Sequence, residues 1–225
     1  MHFSRTFFRT AAVCSIASAL TTLLLIFLPR LVARPSGFDE RMALYANPAY
    51  ALRSWTYLVH PFLVLVAAWG VVAKRHRRST GAVTTGFLFF VLWAFTEAAQ
   101  QALTVVAFDR TWRASYAAAD EAARAVIRTQ VATYDALWDA MYFLVLIGFL
   151  LANILYGVAT WRGRGLERVV STLYFAAAGL TLALLSGELS GPELPPTVEF
   201  WLYPALQPLA RTLIGVWLWR GDNDT

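Results

Sequence analysis

Residues 55–108 read WTYLVHPFLVLVAAWGVVA (55–73), KRHRRSTGAV (74–83) and TTGFLFFVLWAFTEAAQQALTVVAF (84–108). Each outer stretch is close to or longer than the roughly 20 residues of helix that cross a hydrocarbon core about 30 Å thick. Only a short link holding Lys74, Arg75, His76, Arg77 and Arg78 separates them. An apolar run, a basic turn and a second apolar run predict a helical hairpin that enters and leaves a bilayer, with the basic turn in the cytoplasm.

The same pattern extends in both directions. Ala11–Leu28, Thr133–Thr160, Val169–Gly187 and Val198–Trp219 are further apolar runs. The expected fold is all-α: a polytopic six-helix transmembrane bundle, one integral membrane domain over residues 1–225. Composition agrees, since 58% of the chain is hydrophobic and 15% is charged, against roughly 45–50% and 25% in soluble domains. The net charge of +5 does not point to nucleic acid, because the basic residues gather at span ends, where anionic headgroups account for them.

Orientation follows from the short loops. Arg5 and Arg9, Lys74–Arg78, and Arg162, Arg164 and Arg168 fall on one side, while Asp39, Glu40, Asp109, Asp120, Glu121, Glu188 and Glu193 fall on the other. The positive-inside rule then places both termini in the cytoplasm. Lys74 is the single lysine among the basic residues, a bias expected of a GC-rich genome, so the expected location is a bacterial cytoplasmic membrane. The alternative of a cleaved signal peptide over the first run is disfavoured by its length and by Pro29-Arg30 before any cleavage site.

From Ser115 to Tyr142 the chain holds neither Gly nor Pro, and its apolar positions follow a helical repeat. This predicts an additional amphipathic helix on the outer side before the fourth span. Small residues spaced by four, Ala11-Ser15-Ala19 and Gly179-Ala183-Gly187, predict two close helix contacts. Pro204 and Pro208 predict a kink between Pro204 and Arg211. Tryptophans and tyrosines, including Trp93, Trp161, Trp217 and Trp219, are expected as interfacial anchors.

The functional signal lies in polar residues inside the apolar runs, which are costly unless they face the bundle interior. Assuming the orientation above, they crowd the outer half: His60, then Glu97, Gln100, Gln101 and Thr104, then Asp135 and Asp139, then Glu199, Gln207 and Arg211. Glu97, Gln101 and Thr104 share one helix face, as do Asp135 and Asp139. Glu97 and Arg211 fall at similar depth and are expected to pair. His60, Glu97, Gln101, Asp135, Asp139 and Arg211 are therefore the candidate ligand-binding residues, lining a polar cavity open to the outside.

Several chemistries are excluded. The single cysteine, Cys14, forbids an intramolecular disulfide or a CxxC pair. His60 is the only intramembrane histidine, which removes bis-histidine haem, and Lys74 lies at a boundary, which removes a retinal Schiff base. No P-loop, HExxH, GxGxxG or GxSxG pattern occurs. No cofactor and no metal are expected, and no catalytic residue can be named.

The overall plan resembles families of small six-helix bacterial membrane proteins known only as domains of unknown function. The residues that carry this resemblance are the basic N-terminus, Asn47-Pro48 ahead of Trp55, and Tyr203-Pro204-Ala205-Leu206-Gln207-Pro208 followed by Gly215-Val216-Trp217-Leu218. The resemblance implies a fold but no activity. The expected function is binding or transport of a small polar or cationic solute, or of protons, through the outward-facing cavity. Two alternatives stand beside it: an accessory or scaffold subunit that packs on a second copy or a partner membrane subunit, and a lipid-modifying enzyme using His60 with an acid. Partners common to all three are the lipid bilayer and no nucleic acid.

Overall fold

The computed structural model describes residues 3–189, 195 and 197–220. Glu193 and the Glu199 side chain lie outside the described residues. Among the described residues every regular element is helical, with no strand. Four helical segments are long and apolar enough to cross a membrane: Arg5–Leu31, Pro48–Ala118, Glu121–Thr160 and Leu166–Glu188.

Helix α1 (Arg5–Phe27) starts where the Ser4 hydroxyl accepts the Phe7 N–H. A short segment, α2 (Phe38–Ala43), follows, and then α3 (Pro48–Ala102), begun by Asn47, whose side chain accepts the Ala49 and Tyr50 N–H groups. The helical hairpin expected from the sequence is present: α3 breaks at Ser79 (φ −150°, ψ 46°). Its two arms lie antiparallel, since the rings of Trp69 and Phe87, Phe62 and Phe95, and His60 and Trp93 meet at centroid distances of 5.6, 6.2 and 6.4 Å. The basic residues 74–78 are not a loop but the last helical turns before the break.

After Ala102 the hydrogen bonding widens into a π-helix, Leu103–Arg113, followed by the five-residue α4 (Ala114–Ala118). The Asp120 carboxylate accepts the Ala123 N–H and starts α5 (Glu121–Thr160), which runs unbroken for 40 residues. At 1.5 Å per residue this is about 60 Å, twice the hydrocarbon core. The additional helix expected before the fourth span is thus continuous with it, as the first half of α5. Helix α6 (Leu166–Glu188) and, after a π-type turn Val198–Leu202, helix α7 (Tyr203–Trp219) complete the chain. The change of helical type at Leu202/Tyr203 lies just before Pro204, which sits in the first turn of α7.

Two apolar clusters hold these helices. The larger runs through the bundle and centres on Phe90, Trp93, Phe149, Tyr156 and Tyr174. It depends on close approach: a Cβ on Gly148 would lie 3.1 Å from the Trp93 backbone N, and the Tyr156 hydroxyl donates to the Ala68 carbonyl at 3.1 Å. Trp93 and Trp217 belong to this interior, at 4% and 5% exposure, so they are not interfacial anchors. The smaller cluster joins Met42 of α2 to Phe108, Tyr116, Ile127, Val131 and Tyr134, and forms a cap at one end of the bundle.

The opposite end is basic. There Lys74 donates to the Trp217 carbonyl at 2.7 Å, Arg75 pairs with Glu167, and Arg9 lies over the Trp219 ring at 5.4 Å. The beginning of α1, the break in α3, the α5–α6 turn and the end of α7 therefore share one end, as the alternation of charge along the sequence requires.

The small-residue faces divide. Ala11, Ser15 and Ala19 are 0%, 1% and 3% exposed, and this face packs on α7, where a Cβ at Gly215 would meet the Ala12 carbonyl at 3.0 Å. Gly179 meets nothing within 4 Å. The contact expected on the Gly179-Ala183-Gly187 face is not made at Gly179 among the described residues; α6 turns inward through Val170, Ser171, Tyr174, Ala177, Ala178 and Thr181.

Candidate functional site

Between the cap and the aromatic core lies a cavity of about 780 Å³, within the roughly 300–1,000 Å³ of ligand pockets. All six residues selected from the sequence line it: His60, Glu97, Gln101, Asp135, Asp139 and Arg211. They arrive on both arms of α3, on α5 and on α7. The two acidic or amide stripes read from helical spacing thus face the same space.

Depth grades the site. Asp139 is exposed and Asp135 half-buried, whereas Glu97, Gln101, Arg211 and His60 are buried, at 9%, 7%, 8% and 3% exposure. At the rim, Asp135 accepts two hydrogen bonds from Arg41, at 2.8 and 2.5 Å, tying α2 to α5. A bidentate pair of this kind fixes orientation as well as contributing attraction. It also holds the Arg41 guanidinium proton more tightly than usual.

Deeper in, His60 Nδ1 and the Thr21 hydroxyl share a hydrogen bond of 2.7 Å, and the imidazole edge faces Trp93. The Gln100 amide donates to the Trp138 carbonyl at 2.9 Å, and the Thr104 and Tyr134 hydroxyls lie 2.6 Å apart. Glu97 and Arg211 both line the cavity, but no ion pair within 4 Å joins them among the described residues. The expected direct pair is replaced by two opposite charges facing one cavity. Arg211 also borders a second, smaller void of about 40 Å³, with Ser15, Ser18, Asn153 and Tyr174.

Sequence reading missed three cationic members of the wall, Arg41, Arg53 and Arg113. Arg41 and Arg53 precede or begin apolar runs and read as ordinary loop and rim charges. Arg113 is the surprise: it is 2% exposed, donates to Asp109 at 2.6 Å, and lies over Phe108 and Tyr50 at 4.2 and 4.7 Å. Tyr50 and Tyr57 complete this shelf, the Tyr57 ring lying 5.0 Å under the Arg53 guanidinium. Among the described residues no three His, Cys, Asp or Glu side chains converge as a metal site requires.

Comparison with protein-family models, with curated proteins and with solved structures finds no match to this chain. The functional reading rests on the cavity alone.

Proposed function

We propose that the protein is a multi-pass membrane protein that binds a small polar solute in an outward-facing cavity, as the loading step of transport. In this reading α1, the two arms of α3, α5, α6 and α7 make six crossings of a bacterial cytoplasmic membrane. The basic end with both chain termini faces the cytoplasm, and the cap lies outside. The observation that carries the reading is the convergence of His60, Glu97, Gln101, Asp135, Asp139 and Arg211 on one cavity of about 780 Å³. Burying so many polar groups in an apolar bundle is costly, and ionisable groups within spans mark solute and ion pathways. The Phe90–Trp93–Phe149–Tyr156 core closes the bundle toward the basic end, which supports an outward-open, inward-closed state.

Glu97→Gln in proteoliposomes tests it. Uptake or binding of the protein's solute, sought in a panel of amines, amino acids, carboxylates and protons, falls at least about tenfold on loss of a buried charged hydrogen bond. Unchanged uptake of every solute that the unaltered protein takes up removes Glu97 from the role.

A second reading, the accessory subunit, is favoured by the exposed Gly179, which meets no other helix among the described residues. Gly179→Leu would break such a contact and shift the detergent-solubilised assembly to a smaller species, whereas a protein already monomeric excludes the reading. The lipid-enzyme reading needs an acid on His60, and the partner that the imidazole has is Thr21.

A further inference from the structure

We infer that the solute is a zwitterion, presenting a carboxylate or phosphate to Arg53 and Arg113 and an ammonium group to Glu97. This rests on the polar-solute reading above and names the chemistry of its ligand.

The first observation is which buried atoms of the cavity wall lack partners. Arg53 Nε, Arg113 Nε and Gln207 Nε2 are buried without a hydrogen-bond partner among the described residues, and all three residues line the cavity. Every one of these atoms is a donor. A guanidinium carries no acceptor at all, so what the open Nε–H groups of Arg53 and Arg113 call for is an acceptor atom, which a molecule entering the cavity would supply. A buried donor left without an acceptor is unfavourable. An amine or metal cation alone would leave all three as they are, whereas an oxyanion supplies several acceptor sites at once.

The second observation is the balance of charge. Arg41 is engaged by Asp135, and Arg113 shares one nitrogen with Asp109. The charges on the wall beyond these pairs include Arg53 on one side and Glu97 and Asp139 on the other. An anion alone would bring like charge to the buried Glu97. A ligand bearing both signs meets both sets.

The third observation is spacing. The facing rings of His60 and Trp93 and of Phe62 and Phe95 set the register of the hairpin, which places Glu97 about level with Tyr57. Arg53 lies four residues before Tyr57, about 6 Å along the helix. The oxyanion and ammonium subsites are therefore about one helical turn apart. Trp93, Phe108 and Trp138 supply apolar wall for the carbon chain between them.

The test is equilibrium binding to the full chain in maltoside micelles, which carry no zwitterionic lipid. The probes are 4-aminobutyrate and phosphoethanolamine, with butyrate, ethyl phosphate and butylamine as single-charge counterparts. The zwitterions are expected to bind at least about tenfold more tightly than any single-charge probe, the effect of one buried charged hydrogen bond. Arg53→Gln removes the advantage over butylamine, and Glu97→Gln the advantage over butyrate. The ligand series on the unaltered protein decides the matter even if a variant fails to fold.

Butylamine binding as tightly as 4-aminobutyrate overturns the oxyanion subsite and leaves the polar-solute reading standing. Butyrate binding as tightly overturns the ammonium subsite in the same way. Binding of none of the probes overturns the zwitterion, and the underlying reading falls only if the wider uptake panel is silent too. Short-chain phosphatidylethanolamine binding more tightly than phosphoethanolamine would assign the same head-group chemistry to a lipid, and equal binding would assign it to a free solute; both outcomes uphold the zwitterion.

Discussion

Gly70→Ala probes how closely α1 and the first arm of α3 approach. A Cβ at this position would sit 2.6 Å from Ala11 Cβ, with Leu218 Cδ1 and Cδ2 at 3.1 and 3.3 Å. Carbon atoms in contact need about 3.5–4.0 Å, so α1 and α3 must move apart there by about 1 Å. Leu218 can adjust its rotamer; Ala11, fully buried and one bond from its own backbone, cannot. Overpacking by one methyl costs about 1–3 kcal/mol, while the better helix propensity of Ala returns up to about 1 kcal/mol. The single variant is thus expected to lose about 1–2 kcal/mol. A double-mutant cycle with Ala11→Gly isolates the contact, because the propensity contribution of residue 70 enters both arms equally and cancels. The expected coupling is about 1–3 kcal/mol in favour of the double variant. Unfolding by dodecyl sulfate in mixed micelles, followed by circular dichroism, measures it. Coupling under about 0.5 kcal/mol, the range of independent sites, would refute the α1–α3 packing described here.

At the basic end, Arg75→Ala leaves the buried Glu167 carboxylate without its guanidinium. A loss of about 3–5 kcal/mol in the same assay is expected, while the paired change Arg75→Met with Glu167→Leu recovers most of it. Asp135→Asn breaks the bidentate contact with Arg41, whose partners are 35% and 40% exposed. Global stability should fall by less than about 1 kcal/mol because solvent screens the pair, yet a cysteine placed at Leu44 should label faster as α2 loosens. Glu40 accepts the Ser36 N–H at 2.7 Å, which lowers its pKa. That contact is fully present above the ordinary carboxylate value of about 4.3 and is lost as pH falls through the lower folded value, so a carboxyl carbon-13 titration should show Glu40 protonating later than free glutamate.

The hairpin was legible because its two signals are local: apolar runs long enough to cross, and basic residues concentrated in a short link. The six cavity residues were legible for a different reason, since a polar side chain in an apolar helix has few places to go except inward. Other features depended on partners that sequence spacing does not name. Gly179 and Gly70 look alike as small residues in apolar helices, but only Gly70 has another helix against it. Trp217 sits near the end of an apolar run as anchors do and Trp93 lies well inside one, and the Lys74–Arg75 turn and the opposing arm of α3 cover them. The half-buried network of Arg41 and Asp135 joins residues 94 positions apart, beyond any local periodicity.

Arg113 shows most clearly where helical periodicity misleads. Thr104 and Arg113 are nine residues apart, about 2.5 turns of an α-helix at 3.6 residues per turn, which would put them on opposite faces. Read that way, Arg113 belongs to the surface. The segment Leu103–Arg113 is instead a π-helix, whose i→i+5 bonding takes more residues per turn, as the Thr111 hydroxyl reaching the Val106 carbonyl also shows. Nine residues then complete roughly two turns, and Thr104, Phe108 and Arg113 all come round to the cavity. The wider helix thereby adds a cation to the wall that Asp135 and Asp139 also line, and lets Phe108 and Tyr134 stack at 4.8 Å. Without it the cavity would keep its acids on α5 and lose one of the two guanidinium groups whose open N–H points to an oxyanion. The unusual hydrogen bonding of residues 103–113 is therefore a determinant of what the site can hold.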